Sequence, residues 1–226
     1  MMFEEFRTRS LEPERLDRGE FTHDEYVRWR KEMWFIHRLF GETRALKREL
    51  IDSIRGDERI SILDVGAGSG TLLSYLRDKL PGIQVQTLGL ELSRESAIGI
   101  RDNRHIAVRG NALALPFADS SIDYVFSTLV LHHLTDSLAI ELIREMRRVA
   151  RRKLIVIDLE RSVFSYVMFK LLGNLFLQRF TRDDGALSIK RAFKLDELRK
   201  LLRTSGLHDL KVGRSAIGRL VLKADG

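Results

Sequence analysis

The spacing of hydrophobic positions along this chain changes near position 59. Before that point, apolar residues recur every three or four positions, the spacing of one helix face: Tyr26, Trp29, Met33, Ile36 and Phe40. Thr22 and Glu25 have the spacing of a capping box, so a helix is predicted to begin at about His23. Apolar positions between 46 and 54 predict a second helix, ended by Gly56.

From position 59 onwards, short apolar runs alternate with helical patterns. The runs predict five strands: "RISILDV", "IQVQTLGLEL", "HIAVRG", "SIDYVFST" and "RKLIVIDLE". Continuous Ile, Val and Leu runs are typical of parallel strands that are buried on both faces. Strands that alternate with helices predict βαβ units in a doubly wound α/β sheet.

The pattern changes again after position 160. The segment 162–180, "SVFSYVMFKLLGNLFLQRF", is almost wholly apolar, but Lys170, Asn174 and Gln178 interrupt it at four-residue spacing. That spacing places the three polar residues on one helix face, which predicts an amphipathic helix rather than a membrane span. Another helix is predicted to end at Gly206, and a closing antiparallel hairpin follows it: "LHDLKVGR" and "AIGRLVLKA".

Composition narrows the class of protein. The chain of 226 residues has no cysteine, which excludes disulfides, thiolate zinc sites and thiol catalysis and fits a cytoplasmic location. Its charged beginning is unlike a signal peptide. The net charge of +7 favours an anionic partner, and the densest basic cluster is Arg144–Lys153. That cluster fits a solvated helix face or a nucleic-acid contact, although no aromatic residues are interleaved with it.

The glycines after the first strand indicate a nucleotide-like ligand. "ILDVGAGSG" runs from a strand ending in Asp64 into Gly66, Gly68 and Gly70, one residue shorter than the dinucleotide pattern G-x-G-x-x-G. A carboxylate at Asp64 would repel a pyrophosphate and would attract an amine. S-adenosylmethionine carries an ammonium and a sulfonium and no phosphate, so the loop favours it over NAD.

These residues resemble the first motif of class I S-adenosylmethionine-dependent methyltransferases. Glu91, 21 residues after Gly70, is similar to the family's acidic residue that binds both ribose hydroxyls. "GNALALPFADSSIDYVFST" resembles the next motifs and implies Asn111 beside the adenine, where many relatives have Asp, with the Ala112 amide nearby. "LVLHHLTD" resembles the quinone-biosynthesis branch. The resemblance covers roughly residues 45 to 160 and the terminal hairpin.

The resemblance implies a Rossmann-like, doubly wound sheet of seven mostly parallel strands with the last strand antiparallel. We expect residues 1–56 to form an N-terminal helical cap and residues 57–226 the methyltransferase domain. Within that domain, residues 162–192 are expected to form an apolar helical insertion, or lid.

The same resemblance assigns the candidate site. The predicted cofactor-binding residues are Asp64, Gly66, Ala67, Gly68, Gly70, Glu91, Leu92, Asn111, Ala112 and Ser127. The predicted catalytic residues are His132 and His133, which follow the fourth strand, and His133 is the preferred base. Alternatively, one histidine packs on the sheet and the other caps a helix. The predicted substrate residues are Asp158, Arg161 and Arg191, although Asp158 and Arg161 also fit a helix N-terminus. No metal is predicted.

The expected acceptor is a hydroxylated, fairly apolar small molecule, methylated on oxygen in the first place and on carbon in the second. Methyltransferases of nucleic-acid amines carry a proline-proline-aromatic motif after the fourth strand, where this chain has "STLVLHH". Nucleic acid is therefore not the expected partner. The apolar insertion suits a lipophilic acceptor.

Three other functions compete with this one: an RNA methyltransferase, a non-catalytic module that binds S-adenosylmethionine, and an NAD-dependent oxidoreductase. A peripheral membrane contact through residues 162–180 is compatible with the main prediction, because a basic face beside an apolar helix suits anionic lipid. A monomer or a homodimer is expected.

Overall fold

The computed structural model describes residues 4–54, 56, 59–215 and 218–225. A seven-stranded sheet with the strand order β3-β2-β1-β4-β5-β7-β6 forms its centre. The strands are β1 (Arg59–Val65), β2 (Gln84–Glu91), β3 (Ile106–Arg109), β4 (Ile122–Thr128), β5 (Ala150–Leu159), β6 (Lys211–Arg214) and β7 (Arg219–Asp225).

Helices cover both faces of the sheet and one of its ends. They are α1 (Arg15–Arg18), α2 (His23–Leu39), α3 (Glu42–Glu49), α4 (Thr71–Asp78), α5 (Arg94–Asp102), α6 (Asp136–Val149), α7 (Val163–Phe176), α8 (Arg179–Arg191) and α9 (Leu195–Thr204). The predicted start of α2 is confirmed, since Thr22 and Glu25 form the capping box ahead of His23.

The predicted sheet is confirmed. Strands β1 and β4 are buried along almost their whole length, in keeping with their continuous apolar runs. Strand β7 pairs antiparallel with β5, for example Ile157 opposite Val221, and antiparallel with β6. Ala216 and Ile217, which belong to the predicted last strand, lie outside the described residues.

The strand order reverses between β1 and β4, and this fixes where a ligand can bind. Strand β1 pairs with β2 on one side and with β4 on the other, so the chain runs outwards from β1 to β3 and then crosses back to β4. In doubly wound sheets the crevice at such a switch point opens at the carboxyl ends of the strands. Gly66, Gly68 and Gly70 lie at the carboxyl end of β1, at the edge of that crevice.

The structure differs from the sequence prediction at the apolar insertion. One helix was expected over 162–180, but α7 ends at Phe176 and α8 begins at Arg179. The break is held by α2, because the Gln178 amide N–H donates to Glu32 Oε1 at 3.0 Å and the Gln178 side chain donates to the Glu25 carbonyl at 2.9 Å.

The second helix is also shorter than predicted. α3 ends at Glu49 and a 3₁₀ turn follows at Ile51–Ser53, so the helix does not reach Gly56. The expected domain boundary between residues 56 and 57 falls where 55, 57 and 58 lie outside the described residues, and that division stays a prediction.

Residues ahead of α2 cross the open end of the sheet. Phe6 packs in a core with Ile36 of α2, Phe169 of α7 and Ile189 of α8. This core is separate from the two cores on the faces of the sheet. The N-terminal segment and three helices therefore cover the ligand crevice.

Candidate functional site

A cavity of about 440 Å³ lies at the carboxyl ends of β1, β2 and β4. That volume is within the usual range for small-molecule sites. Its floor is formed by the glycine loop and the segments that follow β2, β3 and β4. Its cover comes from the N-terminal segment and from α2, α7 and α8.

Glycine is required in the loop by backbone conformation and by space. Gly66, Gly68 and Gly70 have φ values of 78°, 55° and 76°, in the left-handed region that side chains disfavour. A Cβ on Gly66 would lie 2.4 Å from Cγ2 of Val130, so that position cannot carry a side chain. A Cβ on Gly68 would meet nothing within 4 Å, because this residue faces open space.

Asp64 lies buried directly behind the loop and has an unpaired oxygen. Oδ1 of Asp64 has no hydrogen-bond partner among the described residues, although the side chain is almost fully buried. Burial, with a smaller effect from the charge of Glu91, raises the pKa of Asp64 well above its usual value. A buried, unpaired carboxyl group beside a cavity fits a cationic ligand group such as an ammonium.

Glu91 lies at the end of β2 and joins the loop to this strand. Its Oε1 accepts a hydrogen bond from the Gly68 N–H at 2.6 Å, and its Oε2 accepts one from the Leu92 N–H at 3.2 Å. Burial raises the pKa of Glu91, against the effect of these two bonds. Glu91 and Leu92 line the cavity, as do Ala67 and Gly68 of the loop. The carboxylate keeps unused lone pairs for the hydroxyls of a diol.

Asn111 and Ala112 also line the cavity, below β3. The Asn111 side-chain oxygen accepts a hydrogen bond from the Leu113 N–H at 3.0 Å, so it stabilises its own turn. Ser127 does not line the cavity. It is fully buried within β4, and its hydroxyl donates to the Val65 carbonyl at 2.7 Å, which makes Ser127 a strand-to-strand link.

His132 forms a buried pair with Asp158. The histidine Nδ1 lies 2.6 Å from Asp158 Oδ1, and the His132 backbone N–H donates to Oδ2 at 3.2 Å. Burial alone would raise the pKa of Asp158, but the charge and hydrogen bond of His132 outweigh burial and hold it below its usual value. The bond to Asp158 engages Nδ1 and leaves Nε2 on the other side of the ring.

The N-terminal segment brings Glu14 to the other ring nitrogen of His132. Nε2 lies 3.7 Å from Glu14 Oε1, and Ser188 of α8 donates to the same oxygen at 2.8 Å. Burial raises the pKa of Glu14 to about 7, although the nearby His133 acts in the opposite direction. No motif in the sequence marks Glu14, which lies more than a hundred positions before His132 in a charged segment.

His133 occupies a more open place than His132. Its side chain is 24% exposed, and its Nδ1 lies 3.0 Å from Asp17 Oδ1. His132 is 3% exposed and pairs with Asp158. Both rings are therefore oriented by a carboxylate, but only the pair of His132 is fully buried, and the order of the two histidines as candidate bases stays a prediction.

The two arginines predicted to contact substrate do not line the cavity. The buried Arg161 donates to the carbonyls of Phe6 and Ala192 and pairs with Glu197, so it anchors the N-terminal segment. Arg191 donates to the carbonyl of His133 at 3.0 Å and to Asp17 at 2.6 Å. Both side chains stabilise segments next to the cavity without lining it, and Asp158 stabilises the site by its bond to His132.

Metal-ligating atoms also meet at this place. A ring nitrogen from each of His132 and His133 and an oxygen of Glu14 lie within 4.8 Å of one another. The Arg191 guanidinium lies 3.8 Å from Glu14 and already supplies positive charge there. The expectation that no metal is bound stays a prediction.

Comparisons with known proteins agree with this geometry. Residues 63–157 match the family model described as "Methyltransferase domain". Over 91 residues the chain is 41% identical to a demethylmenaquinone methyltransferase of Roseiflexus sp. (strain RS-1), covering 39% of this chain and 37% of that protein. Over 120 residues it is 30% identical to the ubiquinone/menaquinone biosynthesis C-methyltransferase UbiE of Paracoccus denitrificans (strain Pd 1222), covering 49% and 46%. The chain thus spans less than half the length of these two curated relatives.

A solved structure extends the likeness to the whole fold. The plantazolicin methyltransferase BpumL, in complex with SAH, aligns with a TM-score of 0.63 at 16% identity, over 87% of this chain and 86% of that one. Residues 63–157 thus match a methyltransferase domain, and the sheet order and the glycine loop agree with the class I S-adenosylmethionine-dependent fold. S-adenosylmethionine is the cofactor of this class.

Proposed function

We propose that this protein transfers a methyl group from S-adenosylmethionine to a hydroxylated, fairly apolar small molecule. The observation that carries the proposal is that a buried acid behind the glycine loop and a paired histidine lie at the same end of the sheet, next to one cavity. A buried carboxyl group at Asp64 has an unpaired oxygen behind the glycine loop, and the oriented imidazole of His132 lies after β4.

The residues at the glycine loop would hold the cofactor. Asp64 would take the ammonium, Glu91 the ribose hydroxyls, and Asn111 and Ala112 the adenine edge. When bound, S-adenosylmethionine supplies an electrophilic methyl group on a sulfonium. Gly68 leaves room above the loop, because no atom lies within 4 Å of where its Cβ would be.

His132 would act as the general base. Nδ1 of His132 is hydrogen-bonded to Asp158, so Nε2 can accept the proton of an acceptor hydroxyl. The resulting imidazolium would be stabilised by Asp158 on one side and by Glu14 on the other. Oriented general-base catalysis contributes a rate factor of about 10²–10⁴.

The upper wall of the cavity supports an apolar acceptor. It is lined by Trp29 and Met33 of α2, by Phe40 just after that helix, and by Met168 and Phe169 of α7. Such a wall binds an aromatic or prenyl-like group and excludes water from the reacting atoms.

Either an oxygen or a ring carbon can accept the methyl group in this site. Removal of the hydroxyl proton activates the oxygen itself and also the neighbouring carbons of a phenolic ring. The sequence motifs favour oxygen, whereas the similarity to the UbiE relative, a C-methyltransferase, favours carbon. Carbon methylation is therefore the second candidate.

Turnover with labelled cofactor tests the proposal. The purified protein receives methyl-labelled S-adenosylmethionine and a panel of phenols and quinols, and mass spectrometry and NMR locate the label on oxygen or carbon. We expect His132→Gln to lower kcat by about 10²–10⁴ and His133→Gln by less than tenfold, because His132 alone is paired with Asp158. Equal losses in both variants, or no labelled product from any acceptor, would contradict the proposal.

Treatment with a chelator shows whether His132 acts as a general base or as a metal ligand. We expect EDTA to leave the turnover of the native protein unchanged, because Arg191 already balances Glu14 and Asp17. Loss of turnover that Zn²⁺ or Mn²⁺ restores would instead make His132, His133 and Glu14 a metal site.

A further inference from the structure

A row of apolar side chains is exposed along α7. Phe164, Val167, Leu171 and Leu175 are spaced by three, four and four residues, so they share one helix face about 16 Å long. Leu175 is 74% exposed, and Phe164 and Leu171 are each 59% exposed. An unpartnered row of this kind marks an interaction surface rather than an ordinary outer face.

Helix α2 continues this surface. Phe35 contacts Phe176 and Phe40 contacts Phe169, each with ring centroids 5.8 Å apart, so α2 and α7 lie side by side in opposite directions. We call the following set the apolar ridge: Phe164, Val167, Leu171, Leu175 and Phe176 of α7 with Phe35 and Leu39 of α2. All seven are large apolar side chains that are exposed.

The two helices that carry the ridge also carry exposed cations. Lys31 and Arg38 of α2 and Lys170 of α7 are exposed, and none of the three forms an ion pair with another described residue. α7 contains no acidic residue, and the acidic residue between positions 27 and 39 of α2, Glu32, is buried and bonded to Arg28 and Thr181. The surface is therefore apolar and positively charged at once.

We infer that the apolar ridge docks this protein on the surface of an anionic lipid bilayer. Helices with exposed Phe and Leu beside Lys and Arg lie in the bilayer interface, because the apolar groups enter the acyl boundary and the cations meet anionic headgroups. A second copy of the chain fits less well. Two-fold pairing of this face would bring the Lys31, Arg38 and Lys170 sets of both copies together without acids between them.

The docked orientation places the cavity beside the bilayer. The same two helices turn Trp29, Met33, Met168 and Phe169 inwards to the cavity wall. A lipophilic acceptor could then pass from the bilayer to the site without crossing water. This last step rests on the proposed function, whereas the docking itself does not.

Vesicle sedimentation of the full chain tests the docking. Sucrose-loaded vesicles of phosphatidylcholine alone are compared with vesicles that contain 30% phosphatidylserine or phosphatidylglycerol. We expect binding to the anionic vesicles and at least tenfold weaker binding to the neutral ones. Leu171→Gln/Leu175→Gln and Lys31→Gln/Lys170→Gln should each weaken anionic binding at least tenfold. Their matched controls are Leu11→Gln, which is 73% exposed elsewhere, and Lys200→Gln on α9.

The controls should bind like the native chain, and every variant should keep its affinity for S-adenosylmethionine, which shows that it is folded. Three results would overturn the inference: no sedimentation with anionic vesicles, equal binding to neutral vesicles, or a dimer in vesicle-free solution that Leu171→Gln/Leu175→Gln dissociates. The last would make the ridge a contact between copies. Absence of turnover does not bear on the docking.

Discussion

Asp64 and Asp123 are both buried carboxylates of the sheet, but they have different surroundings. Asp123, at the start of β4, accepts hydrogen bonds from the Ser61 backbone and hydroxyl through Oδ2, each at 2.9 Å. Its Oδ1 makes no hydrogen bond within the described ranges but is ion-paired with Arg151 at 2.9 Å. Asp64, at the other end of β1, has an oxygen without a partner among the described residues. A buried polar atom that nothing in the fold satisfies is a sign of a ligand.

Asp64→Asn should weaken cofactor binding without lowering the stability of the fold. We expect affinity for S-adenosylmethionine to fall about 10- to 100-fold, since hydrogen bonds to charged groups contribute about 1.5–3 kcal/mol. The free energy of unfolding without cofactor, at pH 8, should be no lower than in the native protein, because the buried charge is removed. Calorimetric titration and urea unfolding measure the two quantities.

Asp123→Asn is the matched control. It should lower the free energy of unfolding by about 1–3 kcal/mol through its Ser61 and arginine contacts and leave cofactor affinity unchanged. If Asp64→Asn binds the cofactor normally, the proposed ammonium contact is wrong.

At the scale of elements, the N-terminal segment holds in place the turn that carries His132 and His133. Arg9 donates to the carbonyls of Leu134 and Arg191 and to Asp136 Oδ1, at 2.7, 2.8 and 2.7 Å. Its guanidinium also stacks 3.6 Å over the ring of Phe193. The turn that carries the histidines is thus fixed by a residue far away in the sequence.

Arg9→Met tests this anchoring. We expect the free energy of unfolding to fall by about 2–4 kcal/mol, since four hydrogen bonds of the guanidinium, one of them an ion pair with Asp136, are lost. Turnover should fall with it, whereas cofactor affinity should hold, because none of the partners belongs to the glycine loop.

Arg144→Met is the control for Arg9→Met, since Arg144 makes one exposed bond, to the Ser205 carbonyl. Its effect should stay within about 0.5 kcal/mol. An Arg9→Met protein with native turnover would mean that the segment is a passive cover.

At the scale of the whole molecule, pH should act on stability through His105. This buried histidine joins β2 to α4, the helix that follows the glycine loop. Its Nδ1 lies 2.7 Å from the Thr87 hydroxyl, and its Nε2 lies 2.9 Å from the Ser74 hydroxyl. Burial, reinforced by the charge of Arg77, lowers the pKa of His105 to about 4. The folded protein therefore keeps His105 neutral at pH values where the unfolded chain, with a pKa of about 6.5, binds a proton.

The contribution of His105 is complete above pH 6.5 and is lost as the pH falls towards 4. The free energy of unfolding should decrease by up to about 3 kcal/mol over this range in the native protein. The decrease should be smaller by that amount in His105→Gln. Urea titrations at several pH values measure it, with the exposed His208→Gln as control. Parallel curves for native and His105→Gln proteins would refute the assignment.

Several arginines of the basic cluster are paired with acids of the same molecule. In the basic cluster Arg144–Lys153, Arg147 pairs with Asp209, Arg148 with Asp119 and Glu145, and Arg151 with Asp123. These pairs support the solvated-face interpretation over a nucleic-acid contact.

None of the helices in the described ranges is both long and apolar enough to cross a membrane.

The sequence by itself determined the sheet and the cofactor loop. Buried parallel strands and their following helices need local apolar periodicity, and "ILDVGAGSG" needs glycines at fixed spacing because the backbone enters the left-handed region there. Both are properties of neighbouring residues, so the strands, the hairpin and the loop could be predicted without a structure.

The tertiary structure decided how the candidate site is assembled. The places of Glu14 and Asp17 beside the two histidines, and the supporting contacts of Ser127, Arg161 and Arg191, all depend on contacts between distant segments. The division of 162–180 into two helices depends on α2 in the same way. No local pattern encodes these contacts, because they arise when the N-terminal segment, α2 and α8 meet over the ends of the strands.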